Sequence, residues 1–335
     1  CTDWRLLTDA PLTIYRDLSE ACLDEAVDAI VIATPNHTHR NVLHAVASSH
    51  KPVLLEKPMA TTLADAVDIV NLARDYPAVI QLGMQYRFKA QYVEALQAVA
   101  AQSALGEVKT VAMSEYRPPF LDKVDQWNKF NRNSGGTLVE KCCHYFDLIN
   151  VVARSRPRQV YASGGRAVNF LDFEWQGEMS DIDDHAMVII DYDNGVRASF
   201  TLNMFCQELY EELVVVGEHG RLVASERASF HPDTPSAAQL LVEVPEHPAY
   251  GGVPVGYPEW IEASGHYGAT FFEHIAFNLQ LVGQPVDAAT PEQALWSLIV
   301  ASAAQHSIRI EREVDVGAFC EEKGIADFFH ESINS

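Results

Sequence analysis

Residues 29–58 read AIVIATPNHTHRNVLHAVASSHKPVLLEKP, and the order of textures in this stretch decides the fold. Ala29 to Ala33 is an uncharged run rich in β-branched residues, the composition of a buried strand. Thr34-Pro35-Asn36 supplies a turn with good helix-capping residues, and Val42, Ala45 and Val46 fall where a helix carries them on one face. Val53 to Glu56 is a second buried strand, closed by Lys57-Pro58. Upstream, Asp17 to Ala26 has helix-forming composition behind a capping Asp17. Downstream, Leu63, Ala66, Val67, Val70 and Ala73 recur at helical spacing within Leu63 to Tyr76, and Val79 to Leu82 is strand again. Strand and helix in alternation predict a parallel sheet with crossover helices.

After a helix near Ala90 to Ala101 the texture changes. Strand-like runs at Val108 to Tyr116, Gln159 to Ala162, Ala186 to Tyr192, Arg197 to Leu202 and Leu213 to Val216 are separated by turn signals such as Asp193-Asn194-Gly195, which predicts a mostly antiparallel sheet. Helical patterns at Ala269 to Leu281 and Pro291 to Ile308 cover that sheet or lean back on the first half, while Pro232 to Tyr257 is loop-rich. With 335 residues, 48% of them hydrophobic, the chain has material for two cores at about 150 residues per domain. The expected division is 1–104 and 105–335.

The balance of 24 basic against 46 acidic residues gives a net charge of −22, which repels phosphate backbones and anionic lipid. Nucleic acid and membrane are therefore excluded as partners. No apolar run approaches the roughly 20 residues of a membrane span, and the opening CTDWRLLTDAPL lacks the basic start and apolar core of a signal peptide. Six scattered cysteines without a C-x-x-C pair suit a reducing compartment, so the expectation is a soluble, cytoplasmic protein.

Chemistry concentrates at two places. The first is Glu56-Lys57-Pro58, because ligands of open α/β sheets lie beyond the carboxyl ends of the strands and proline holds Lys57 extended. A solvated strand end accounts for this tripeptide equally well. The second is Ser134 to Leu148, where a helix opened by Gly135-Gly136 places Glu140, His144 and Asp147 at i, i+4 and i+7 on one stripe. A histidine between two carboxylates suits proton transfer, its protonated form favoured by the neighbouring negative charge. The competing account is a helix with one wet side. Adjacent Cys142, Cys143 and His144 point about 100° apart and cannot close a tetrahedral site, so no metal is expected.

Taken in order, Ala33-Thr34-Pro35-Asn36-His37-Thr38-His39, Glu56-Lys57-Pro58, Gly135-Gly136 with Glu140, His144 and Asp147, Ser264 to His274, and Thr290-Pro291-Glu292 resemble the Gfo/Idh/MocA oxidoreductases over nearly the whole chain. The resemblance implies a Rossmann domain for NAD or NADP, NAD favoured, joined to an α+β domain with a large open sheet that carries substrate residues and homo-oligomer contacts. It implies an oxidoreductase that removes hydride from a hydroxyl of a sugar or inositol-like cyclic polyol. Carried over by position, His144 is the general base, Lys57 orients the reacting oxygen, and Glu140, where the family usually has Asp, accepts a hydrogen bond from substrate. Thr34, Pro35, Asn36, His39, Glu56 and Lys57 line the dinucleotide. Tyr86, Arg87, Asp147, His266 and Tyr267 contribute to the substrate cleft.

Only 32 residues precede Ala33, and none forms the family's G-x-G-x-x-G turn. The expectation is an N-terminally truncated sequence with an incomplete Rossmann sheet, poor dinucleotide affinity and low solubility. Two other classes stay open: a non-catalytic dinucleotide-binding sensor of the same fold, and a structural protein using the open sheet, neither of which needs Lys57, Glu140 and His144 together.

Overall fold

The computed structural model describes residues 12–101, 105–228, 237–245 and 252–330. Of the loop-rich stretch from Pro232 to Tyr257, residues 232–236 and 246–251 lie outside the described residues. The Asp17 carboxylate accepts the Ser19 amide at 2.7 Å and caps α1 (Leu18–Leu23). Strand β1 (Ile30–Ile32) leads through a 3₁₀ turn, Asn36–Thr38, into α2 (His39–Ala47). The face α2 buries is His39, Leu43 and Val46; Ala45, expected inside, is exposed and Val42 is half-buried. The rotation follows from His39, whose buried ring lies against the main-chain carbonyls of Thr34 and Pro58 and turns its side of the helix inward.

Strand β2 (Val53–Glu56), α3 (Leu63–Asp75) and β3 (Ile80–Gly83) complete a three-stranded parallel sheet in the order β1-β2-β3, with Ile32 beside Leu55 and Leu55 beside Leu82. After α4 (Ala90–Ala100) the chain enters β4 (Val108–Tyr116), then three short helical pieces, α5 (Asn131–Ser134), α6 (Thr137–Glu140) and α7 (Cys143–Ala153). There follow β5 (Pro157–Gly165), a two-stranded hairpin of β6 (Glu174–Trp175) and β7 (Glu178–Met179), β8 (His185–Tyr192), β9 (Arg197–Asn203), β10 (Leu209–Gly217), β11 (Arg221–Ala228), β12 (Ala237–Glu243) and β13 (Val253–Val255). The chain closes with α8 (Glu259–Glu262), α9 (Ala269–Leu281), α10 (Pro291–Ile310), β14 (Val314–Asp315), α11 (Val316–Glu322) and α12 (Ala326–His330).

The second sheet has nine strands in the order β13-β12-β11-β10-β4-β9-β8-β5-β14, antiparallel throughout except where β4 and β9 run parallel. Alternation sorts its faces: Ala186, Val188, Ile190 and Tyr192 of β8 point into the core, while Met187 and Ile189 are exposed. Helix α10 is what joins the halves. Thr290 and Gln293 form a reciprocal capping box, Pro291 opens the first turn, and the helix packs against α3, α7 and β5. One contiguous apolar core therefore runs from Ile32 and Leu43 of the first sheet to Val160 and Phe200 of the second. Among the described residues no helix is long and apolar enough to cross a membrane.

Candidate active site

Lys57 leaves the carboxyl end of β2 and reaches α6: its ammonium donates to the Glu140 carbonyl at 3.1 Å and lies 3.8 Å from Glu140 Oε1. Burial pulls the Lys57 pKa down, but Glu140, Cys143 and Glu56 outweigh it, so the group stays charged above its ordinary range. Gly135 and Gly136, with φ of 82° and 93°, turn the chain into α6, and at Gly136 a Cβ would run into the Gln305 side chain.

The single helical stripe expected for Glu140, His144 and Asp147 does not form. A break at Lys141 and Cys142 separates α6 from α7, and Glu140 lies on one piece while His144 and Asp147 lie on the other. The break stands where Lys57 takes the Glu140 carbonyl, a helix-terminal acceptor satisfied from outside. Lys57, Glu140 and His144 still converge. The expected protonated imidazole is also corrected: burial, then the charges of Lys57 and Lys141, hold the His144 pKa well below the usual range, so the ring is neutral. It is buried, stacks on Tyr86 with centroids 4.1 Å apart, and its Nδ1 has no hydrogen-bond partner. Asp147 points elsewhere, bound bidentately to Arg87 by two 2.7 Å bonds in a fully buried pair, so both residues spend most of their capacity on each other.

On the strand-end side, Asn36 is buried with Nδ2 unpartnered, and Glu56, its pKa raised by burial, accepts the Lys57 amide at 3.2 Å. Thr34 and Pro35 lie in the turn after β1, with the Thr34 hydroxyl accepting from Thr38. His39 Nδ1 lies 2.9 Å from the Pro58 carbonyl and Nε2 2.9 Å from that of Thr34; burial lowers the pKa of the ring, and a neutral imidazole donates from one nitrogen only, so it bonds one of the two carbonyls while both nitrogens face the main chain. A free amide, a carboxylate and an ammonium around the ends of β1 and β2 fit the hydroxyls and carboxamide of the ribose–nicotinamide end of a dinucleotide. Of the late pair, His266 comes within 6.2 Å of the Tyr86 ring, whereas Tyr267 lines a separate 220 Å³ cavity with Gln91 and Glu226.

Several groups beneath this site escape sequence reading. Sheet register sets Glu115 of β4, Glu211 of β10 and Glu226 of β11 side by side, all buried. Lys89 pairs with Glu211 at 2.7 Å and with Glu226 at 3.2 Å, and Lys141 lies 3.1 Å from Glu115 and donates to the Tyr86 hydroxyl at 2.9 Å. Tyr145 also donates to Glu211, at 2.8 Å. A signal was present: Glu211 alternates with Leu213 and Val215, and so occupies an inward position of its strand. Glu273 of α9 is wholly buried with both carboxylate oxygens unpartnered; burial, then Glu56, pushes its pKa up to about 9.

Comparison with known proteins fits this picture. Residues 7–84 match the model of the oxidoreductase family with an NAD-binding Rossmann fold, and residues 93–223 match that of the GFO/IDH/MocA C-terminal domain. The chain is 25% identical to the myo-inositol 2-dehydrogenase of Thermotoga maritima over 63% of its own length and 60% of that protein. It is 22% identical to the 2,7-anhydro-N-acetylneuraminate hydratase of Escherichia coli over 87% of its length and 81% of that protein. Its fold superposes on levoglucosan dehydrogenase, solved with NADH and levoglucosan, with a TM-score of 0.68 at 19% identity over 90% of this chain and 83% of that one. The chain spans about half the length of several curated relatives that it matches. Its two halves match the two models of one family in order, and the chain belongs to the Gfo/Idh/MocA oxidoreductases.

Proposed function

We propose that the protein oxidises a hydroxyl of a sugar or cyclic polyol, with NAD favoured over NADP as hydride acceptor. The observation that carries this reading is His144: a neutral, buried imidazole with an unpartnered Nδ1, close enough to Lys57 to feel its charge. A neutral ring can take a proton; one already protonated cannot. In this reading His144 removes the proton of the reacting hydroxyl, and the Lys57 ammonium holds that oxygen and stabilises the charge it gains. Glu140, whose Oε2 is buried without a partner, accepts a hydrogen bond from a neighbouring substrate hydroxyl. Tyr86 fixes the plane of the His144 ring by stacking and is itself fixed by Lys141. Thr34, Pro35, Asn36 and Glu56 hold the nicotinamide–ribose end, and the nicotinamide, when bound, accepts hydride.

The test is absorbance at 340 nm with NAD and a panel of inositols, aldoses and sugar acids, comparing wild type with Lys57→Met and His144→Ala. Each variant is expected to lose about 10²–10⁴-fold in kcat/KM. Near wild-type values in both sink the assignment. A second reading rests on the hydratase relative, which aligns with 87% of this chain. Net addition of water to an anhydro sugar acid leaves the nicotinamide signal flat while product mass rises by one water, so mass analysis of the same incubations separates the two.

A further inference from the structure

Two adjoining cavities of 230 and 250 Å³ share Arg87, Val151, Arg154 and Asp287 as a common wall, and neither is lined by Lys57, Glu140 or His144. Their charged lining is two cations and two carboxylates: Arg87, Arg154, Asp147 and Asp287. Arg87 and Asp147 cancel in their buried bidentate pair. Arg156, the next cation along the chain, is closed on Asp193 at 3.0 Å. Arg154 and Asp287 remain, one of each sign. Both are exposed, and neither side chain has an ion pair or hydrogen bond among the described residues. The wall is thus neutral as a whole yet presents two separate unpaired charges, which suits a ligand that carries both signs.

Unmet hydrogen bonds sharpen the description of that ligand. Asn150, one turn before Arg154 at the end of α7, accepts the Tyr192 hydroxyl at 2.6 Å through Oδ1, while its Nδ2 is enclosed without a partner. Arg87, only 5% exposed, commits Nε and Nη2 to Asp147 and keeps Nη1 without a hydrogen bond among the described residues. Three nitrogen donors without acceptors, on Arg87, Asn150 and Arg154, call for a carboxylate, whose oxygens also match a guanidinium fork. One carboxylate without a donor, Asp287, calls for an ammonium. The rest of the wall is largely apolar, with Phe88, Val93, Leu96 and Val99 in one cavity and Trp296 in the other. An ammonium and a carboxylate on a short apolar body describe an amino acid.

We propose that these cavities bind a free α-amino acid with an apolar side chain. Its carboxylate meets Arg154, Asn150 and Nη1 of Arg87, its ammonium meets Asp287, and its side chain lies against Val93, Leu96 and Val99. The site is distinct from the sugar-oxidising centre and does not depend on that reading, but it borders it. Tyr86, which stacks on His144, precedes Arg87 in the turn Gln85–Phe88, and His144 lies one turn before Asp147 in α7.

The experiment is calorimetry on the full chain with four matched probes: L-leucine, L-leucinamide, 4-methylpentanoate and glycine. Leucine is expected to bind about tenfold or more tightly than leucinamide or 4-methylpentanoate, each of which lacks one charge. Glycine, without the apolar body, should be weaker by a similar factor. Arg154→Met should weaken leucine about ten- to hundredfold, the size of one charged hydrogen bond, and leave leucinamide unchanged. Asp287→Asn should weaken leucine and leave 4-methylpentanoate unchanged. Both substitutions lie at exposed positions, and this crossed pattern cannot arise from misfolding. Equal or tighter binding of a probe with one charge, leucine affinity that survives in either variant, or no binding of leucine overturns the proposal. None of these results bears on the dehydrogenase reading.

Discussion

Replacing Glu273 by Gln isolates the energetic consequence of one buried carboxyl. Glu273 has no exposed surface and no hydrogen bond to either carboxylate oxygen, and its pKa is pushed up to about 9 by burial and the neighbouring Glu56. A carboxyl whose folded pKa lies above its unfolded value of 4.5 keeps its proton in the native state while the unfolded chain gives it up. Stability from this group is therefore fully present below pH 4.5 and is lost progressively as pH rises, until the loss levels off near pH 9. One retained proton costs about 1.4 kcal/mol per pH unit, so the wild type should lose about 3 kcal/mol from this source between pH 4.5 and 7. Glutamine has nearly the same shape and no proton to lose. Urea unfolding of both proteins at half-unit steps from pH 5 to 8 should show the variant gaining on the wild type as pH rises, with equal stability near the acid end. Parallel stability curves across that range would mean that Glu273 titrates normally and that the carboxyl finds partners in solution.

Three further outcomes follow from the geometry. Asp147→Asn strips the counter-charge from a guanidinium only 4% exposed and should cost about 3–5 kcal/mol in urea unfolding; a loss below 1 kcal/mol would mean Arg87 finds another partner. Gly83→Ala brings a Cβ within 2.9 Å of Glu56 Cα, where backbone cannot retreat, and should cost about 1–3 kcal/mol; an unchanged melting temperature contradicts the close approach of β2 and β3. Because His144 is held below its ordinary pKa of 6.5, the acid limb of kcat/KM should fall below pH 6.5, and a limb at or above that value argues that the base is charged in the resting site.

Local chemistry was legible wherever one element answered to its own residues. Val108–Tyr116 and Ala269–Leu281 have the same ends in sequence and structure: the first is a strand-like run bounded by Leu105-Gly106 and Pro118-Pro119, and the second carries helical spacing between Gly268 and Gly283. The parallel three-stranded sheet followed by a large antiparallel one was legible for the same reason. What failed depended on distant partners. Nothing in Glu140-Lys141-Cys142-Cys143 marks a helix break, since no Gly or Pro stands there; the carbonyl is taken by a lysine 83 positions away. The ionisation of His144 is set by burial and by Lys57 and Lys141, which a count of its own helix neighbours misses. The Arg87–Asp147 pair spans 60 residues, and the row of Glu115, Glu211 and Glu226 exists only once three strands have found their register. Strands of two or three residues such as β6, β13 and β14 are too short for any periodicity to appear.

The bond from the Leu82 amide to the Ala289 carbonyl has a meaning for synthesis as well as for stability. The partner that covers the outer edge of β3 lies about 200 residues downstream, and α10, which presses on α3, begins only after it. At about 5–20 residues per second, a ribosome takes roughly 10–40 s to deliver that segment after β3 has emerged. For that interval the first sheet is a template with an open side. Its four-residue edge offers little length for a stranger strand to grip, and the nascent chain waits on its own far end to close.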